Sequence, residues 1–198
     1  RERCLRAAVA ELLETDAEYC ARLTRIVEGV VRPLRADRRS RSTDAAAEEQ
    51  MRVFWDIENL QRLNQFFLQQ LQDGVDQRGT RCIGGLMQQF ARTLLRNYED
   101  YVTRYSLSHV CVQEMKRRSA RFRTLLDQAG LEGSLEGYLI LPVQRLMRYK
   151  LLIEQILRHT PDTAEEEFRD LQLALAAVSE TVDGLNESTA SMESILAA

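Results

Sequence analysis

Apolar residues recur three and four positions apart through almost the whole chain, and nowhere do they alternate with polar ones over the length of a strand. Leu5, Val9, Leu12, Tyr19, Cys20, Leu23, Ile26, Val30 and Leu34 mark the first such stripe, the buried face of an amphipathic helix expected to stop near Pro33 to Ala36. A second helix, Glu48 to Gln72, carries Met51, Phe54, Ile57, Leu60, Phe67 and Leu71, and "DGVDQRGT" is expected to break it. Between the two, "ADRRSRSTDA" reads as a polar, mobile loop near residues 36–45. A third helix is expected from about Arg81 to Tyr105 and a shorter one over His109 to Gln128. Glycines at 130, 133 and 137 then punctuate the chain before "LILPVQRLMRYKLLIEQILRHTP", and a last long helix starts near Asp162 or Thr163. Each stripe must be covered by another element. The expected architecture is therefore all-α, one domain over residues 1–198, built as an elongated bundle of about six helices.

Composition narrows the function. The net charge of −3 is spread over both signs along 198 residues, which gives no chain-wide basic footprint for nucleic acid. No apolar run approaches the roughly 20 residues that span a bilayer, and the N-terminus lacks the apolar core of a signal peptide. Cys4, Cys20, Cys82 and Cys111 have no paired metal spacing, and His109 and His159 stand far apart, so no metal or other cofactor is expected. A cytoplasmic protein with free thiols, open to recruitment to membranes through regions outside this chain, is the simplest reading. The cluster "KRRSARFR", Lys116 to Arg123, reads first as a solvated helix face, with contact to acidic lipid or a partner as the alternative.

The leucine-rich stretch from Leu139 to Pro161 sorts into strips at about 100° per residue. Gln144, Arg148 and Gln155 fall together. Lys150, Glu154 and Arg158 form a second polar row, expected to be a solvated ion-pair row. Leu146, Met147, Leu151, Ile153 and Leu157 lie on one apolar side, and Tyr149, Leu152 and Ile156 on the other. Arg145 sits among that last group. A buried guanidinium requires a carboxylate, and Asp16, in the middle of the first helix's apolar face, is the expected partner. Periodicity alone leaves the Gln144, Arg148 and Gln155 strip open between a plain solvent window and a binding edge.

The order of residues goes further. "YLILPVQRLMRYKLLIEQILRHT" closely resembles the most characteristic segment of the Dbl homology domain, the catalytic domain of guanine nucleotide exchange factors for Rho-family GTPases. "VAELLETDAEYCARLTRIVEGVVRPL", "VFWDIENLQRLNQFFLQQL", "IGGLMQQFARTLLRNYEDYVTRY" and "VDGLNES" resemble other segments of that family, in the right order over nearly all the chain.

This resemblance implies a catalyst of exchange without covalent chemistry, acting on the switch regions of a Rho-family GTPase. By position, Glu11 matches the glutamate that contacts switch I, Arg148 a basic position near switch II, and Asn186 an asparagine facing the same region. Gln144, Met147, Gln155 and Glu187 are expected GTPase contacts, and Ile140 matches a position that helps select among family members, here toward Rac-like ones. Asp16 stands where Glu is usual and Leu141 where a basic residue is common. A pleckstrin homology domain commonly follows in this family, and none is expected within the 198 residues. The alternative is a helical scaffold that keeps the fold without catalysing exchange; Glu11, Arg148 and Asn186 count against it.

Overall fold

A computed structural model describes residues 1–38, 45–161 and 163–196; the side chains of 37–38, 45–51, 53, 106–109 and 185–196 are outside that description. Every regular element among the described residues is helical: α1 (Glu2–Ile26), a π-helical turn (Val27–Val31), α2 (Arg32–Arg38), α3 (Ala45–Arg78), a 3-10 turn (Gly79–Cys82), α4 (Ile83–Thr93), α5 (Leu95–Arg118), α6 (Ala120–Gln128), α7 (Leu135–Leu139), α8 (Leu141–His159) and α9 (Glu165–Leu196). At 1.5 Å per residue the 34 residues of α3 and the 32 of α9 span roughly 50 Å each, which makes the bundle long and narrow. The all-α bundle matches the expectation, with its long segments divided more finely.

Helix α8 runs through the middle, packed against α1, α5 and α9, while α4 lies along α9. One contiguous core, including Leu12, Leu23, Phe54, Phe67, Phe90, Tyr149 and Val178, joins these helices. Pro142 occupies the first turn of α8, where its missing N–H costs no hydrogen bond. The helix ends at Thr160, whose extended ψ of 130° is the conformation that a following proline enforces.

Three boundaries differ from the periodic reading, each for a physical reason. Helix α3 continues through "DGVDQR" because Gly74 is a close-approach position: a Cβ there would lie 2.9 Å from Leu86 Cδ1 and 3.1 Å from Cys82 Sγ. The chain leaves the helix only at Gly79, where φ is +64°. Helix α5 crosses residues 105–109 unbroken, since buried Tyr98, Tyr101, Val102 and Val112 keep its stripe in register. The breaks fall at Leu94, between α4 and α5, and at Ser119, whose extended backbone and side-chain oxygen, accepting from Phe122 N at 3.0 Å, start α6. Of the expected loop, residues 36–38 belong to α2, and 39–44 lie outside the described residues.

Candidate functional site

Helix α8 turns Arg145, Leu146, Tyr149, Leu152, Ile153 and Ile156 inward. Its opposite edge exposes Gln144, Met147, Arg148 and Leu151, with Gln155 half-buried beside them. The Gln144 and Arg148 strip is thus a real surface, but a less polar one than expected. Met147 is 48% and Leu151 59% exposed. Leu151, placed by periodicity on an interior apolar side, instead lies mostly exposed on this edge, uncovered among the described residues. The Lys150, Glu154 and Arg158 row is also corrected: Lys150 and Glu154 are half-buried, and Lys150 Nζ leans toward Asp183 Oδ1 of α9, 3.6 Å away.

Helix α1 lies alongside and supplies the acidic partner. Arg148 Nη2 donates to Glu11 Oε1 at 2.5 Å, and the two side chains remain 48% and 37% exposed. Glu11 and Arg148, 137 positions apart in sequence, therefore meet at one place. A depression of about 230 Å³ opens between the helices, lined by Thr15, Glu18, Tyr19, Arg22, Leu141, Gln144, Arg145 and Arg148. Ile140 is half-buried at the α7–α8 junction, where its carbonyl accepts from Gln144 N. Asn186 and Glu187 fall on α9, and their side chains lie outside the described residues.

Beneath this edge the expected Asp16–Arg145 pair is present, with Arg145 Nη2 2.8 Å from Asp16 Oδ1 and both side chains almost completely buried. Arg145 Nη1 donates to Thr15 Oγ1 at 2.9 Å, and the guanidinium stacks 4.3 Å from the Tyr149 ring centroid. The Tyr149 hydroxyl donates to Asp16 Oδ1 at 2.6 Å; the Tyr98 hydroxyl donates to Asn64 Oδ1 at 2.7 Å and lies 3.3 Å from that of Tyr19. Asp16 Oδ2 and Arg145 Nε and Nη2 make no hydrogen bond of good geometry, so the pair is held by charge and stacking more than by a full set of bonds. Burial pushes the Asp16 carboxyl above its ordinary range, against the opposing pull of Arg145 and Tyr149. Burial also raises the hydroxyls of Tyr19, Tyr98 and Tyr149, which stay neutral donors. The neighbouring Cys20 thiol is pushed by burial to about 12 and is unreactive at neutral pH. Sequence reasoning found the charged pair and missed Tyr98, Tyr149 and Asn64, whose only signal is a polar tip within an apolar stripe.

The family model described as "RhoGEF domain" matches residues 8–186, a span that contains α8, most of α1 and the pair beneath this edge. The chain belongs to the RhoGEF domain family. It is 27% identical over 199 residues to Rho guanine nucleotide exchange factor TIAM2 of Homo sapiens, covering 92% of this chain and 11% of that protein. It is 30% identical over 119 residues to Rac guanine nucleotide exchange factor B of Dictyostelium discoideum, covering 56% of this chain and 10% of that one. Among solved structures, autoinhibited Vav1 superposes with a TM-score of 0.81 at 20% identity, over 98% of this chain and 35% of that chain, which supports the same fold. This RhoGEF domain spans about a tenth of the length of these two relatives and less than a third of others it matches. Among its described residues no helix is long and apolar enough to cross a membrane, and no group of acidic, His and Cys side chains is arranged to hold a metal ion.

Proposed function

We propose that this RhoGEF domain accelerates guanine nucleotide exchange on a Rho-family GTPase by docking the switch regions on the α1–α8 edge. One observation carries the reading: Glu11, Gln144 and Arg148 come together from two helices beside exposed Met147 and Leu151, a mixed polar and apolar surface of the kind that buries on binding a protein. Glu11 would engage switch I, while Arg148, Gln144 and Gln155, with Asn186 and Glu187 of α9, would face switch II. Met147 and Leu151 would supply the apolar contact. Ile140 and the relative named as a Rac exchange factor favour a Rac-like partner.

Exchange of this kind makes and breaks no covalent bond. A factor that binds the nucleotide-free GTPase better than the loaded one weakens nucleotide binding by the same factor. A thousandfold faster release asks for about 4 kcal/mol of barrier lowering, within reach of a few polar contacts and one apolar patch. Because the Glu11–Arg148 pair is exposed, opening it costs about 0–1 kcal/mol, so both side chains are available to the GTPase.

Release of a fluorescent GDP analogue from a panel of purified Rho-family GTPases, with and without the domain, tests the reading. Acceleration on at least one member is expected, and Glu11→Ala should suppress it about tenfold or more while helicity and thermal stability hold. A folded domain that accelerates release from none of them would favour the scaffold instead.

A further inference from the structure

The α5–α6 elbow carries charge that the exchange edge does not use. From Glu114 to Arg123 the sequence holds five basic residues and one acidic one, a formal +4 in a chain whose total is −3, and of the five Lys116 is paired with Glu136 of α7. The remaining 188 residues therefore carry −7, so this segment is opposite in formal sign to the rest of the chain. Arg117 and Arg118 are 69% and 72% exposed and share the single Glu114 carboxylate, which their charge and hydrogen bonds draw down to about 2. One carboxylate cannot neutralise two guanidiniums.

The corner is also held in shape. Arg123 Nη1 donates to the carbonyls of Lys116 and Arg117 at 2.5 and 3.2 Å, closing the end of α5, and Ser119 caps the start of α6. Within α6 only Phe122 is fully buried, packed edge-on against Phe54 with ring centroids 6.4 Å apart, while Arg121, Arg123 and Thr124 face outward. Lys116 Nζ bonds Glu136 Oε1 at 2.6 Å, which ties the elbow to α7, four residues before Ile140.

We infer that the α5–α6 elbow is a docking surface for an anionic bilayer leaflet. Three features favour a membrane over other polyanions. The exposed cations are gathered at a junction of two helices, where a broad charged surface can meet them together. A nucleic acid would need a longer basic stripe, and the rest of the chain is acidic. An acidic peptide would need a groove, and the groove that borders α6, between Arg121, Thr124, Gln128 and the π-helical turn, carries its own Glu28. Contact at the elbow would hold Ile140 and the start of the α8 edge close to the leaflet.

Flotation of the 198-residue domain with phosphatidylcholine vesicles, with and without about one third phosphatidylserine, tests this. Binding is expected only with phosphatidylserine and should disappear in high salt. At about one elementary surface interaction per cation, Arg117→Gln with Arg118→Gln should weaken binding about thirtyfold, and Glu114→Gln, which releases both arginines, should tighten it about fivefold. Both variants should catalyse GDP release in solution at the wild-type rate, so failure of the exchange reading and failure of this one are separately visible. The inference is overturned if the wild type ignores phosphatidylserine, if the double variant binds as the wild type does, or if Glu114→Gln brings no gain. Equal binding to soluble polyglutamate would assign the elbow to an acidic protein and overturn it as well.

Discussion

Replacing Arg145 by Met separates charge from shape at the centre of the bundle. Methionine fills much of the arginine stem, but Asp16 then stays fully buried with its guanidinium partner gone. Removing one member of a buried pair costs about 3–5 kcal/mol. That is a large part of the roughly 5–15 kcal/mol available to a domain, so the variant should fold but unfold at clearly lower urea. The effect should also depend on pH. Without Arg145 the Asp16 carboxyl, already raised by burial, rises further in the folded state. A carboxyl raised on folding contributes stability that is fully present below its unfolded value, near 3.8, and is lost as pH rises through the folded one. The gap between wild type and Arg145→Met therefore widens, by up to about 1.4 kcal/mol per pH unit, across the interval between their two folded-state values. Urea unfolding between pH 4.5 and 8, followed by helical circular dichroism and by Trp55, the chain's single tryptophan, measures it directly. The double change Arg145→Met with Asp16→Leu should recover most of the loss. A cost below about 1 kcal/mol at pH 8, or a gap that is flat with pH, would refute the reasoning.

Other substitutions probe features at different depths. Leu151→Glu should abolish exchange on the responsive GTPase while the melting temperature stays within a degree or two, because the side chain is mostly exposed; a folding defect instead would mean that Leu151 belongs to the core. Tyr149→Phe should cost about 1–3 kcal/mol in urea by removing the hydroxyl that Asp16 accepts from. Gly84→Ala places a Cβ 2.6 Å from the Glu167 carbonyl oxygen, a backbone atom that cannot rotate away. The clash should outweigh the gain of about 1 kcal/mol in helix propensity and lower thermal stability.

Periodicity was enough to read the helices and to set Arg145 apart from Gln144 and Arg148, since a charge inside an apolar stripe breaks the pattern visibly. It also named Asp16, a second such break, as partner. Tyr98, Tyr149 and Asn64 left no comparable mark. Tyrosine is ordinary on a core face, and nothing in the spacing of α3, α5 and α8 says that these polar tips converge. Leu151 was opaque for the opposite reason, and Met147 was reached only through the family resemblance: a wheel reports which residues share a side, not whether a neighbour covers it. The same limit hid Gly74, where a residue expected to end a helix lets another segment approach it. The pairing of Glu11 with Arg148 was invisible to each helix alone, because it depends on how α1 is rotated against α8.

That pairing bears on how the domain would be found by its partner. With Glu11 and Arg148 already joined, the proposed docking edge offers little net charge at that point, and a GTPase that took both side chains would exchange one set of ion pairs for another. The count of opposite-charge contacts would stay nearly constant through the encounter. Association at this edge should consequently gain little from long-range attraction, and its rate should change only modestly with ionic strength.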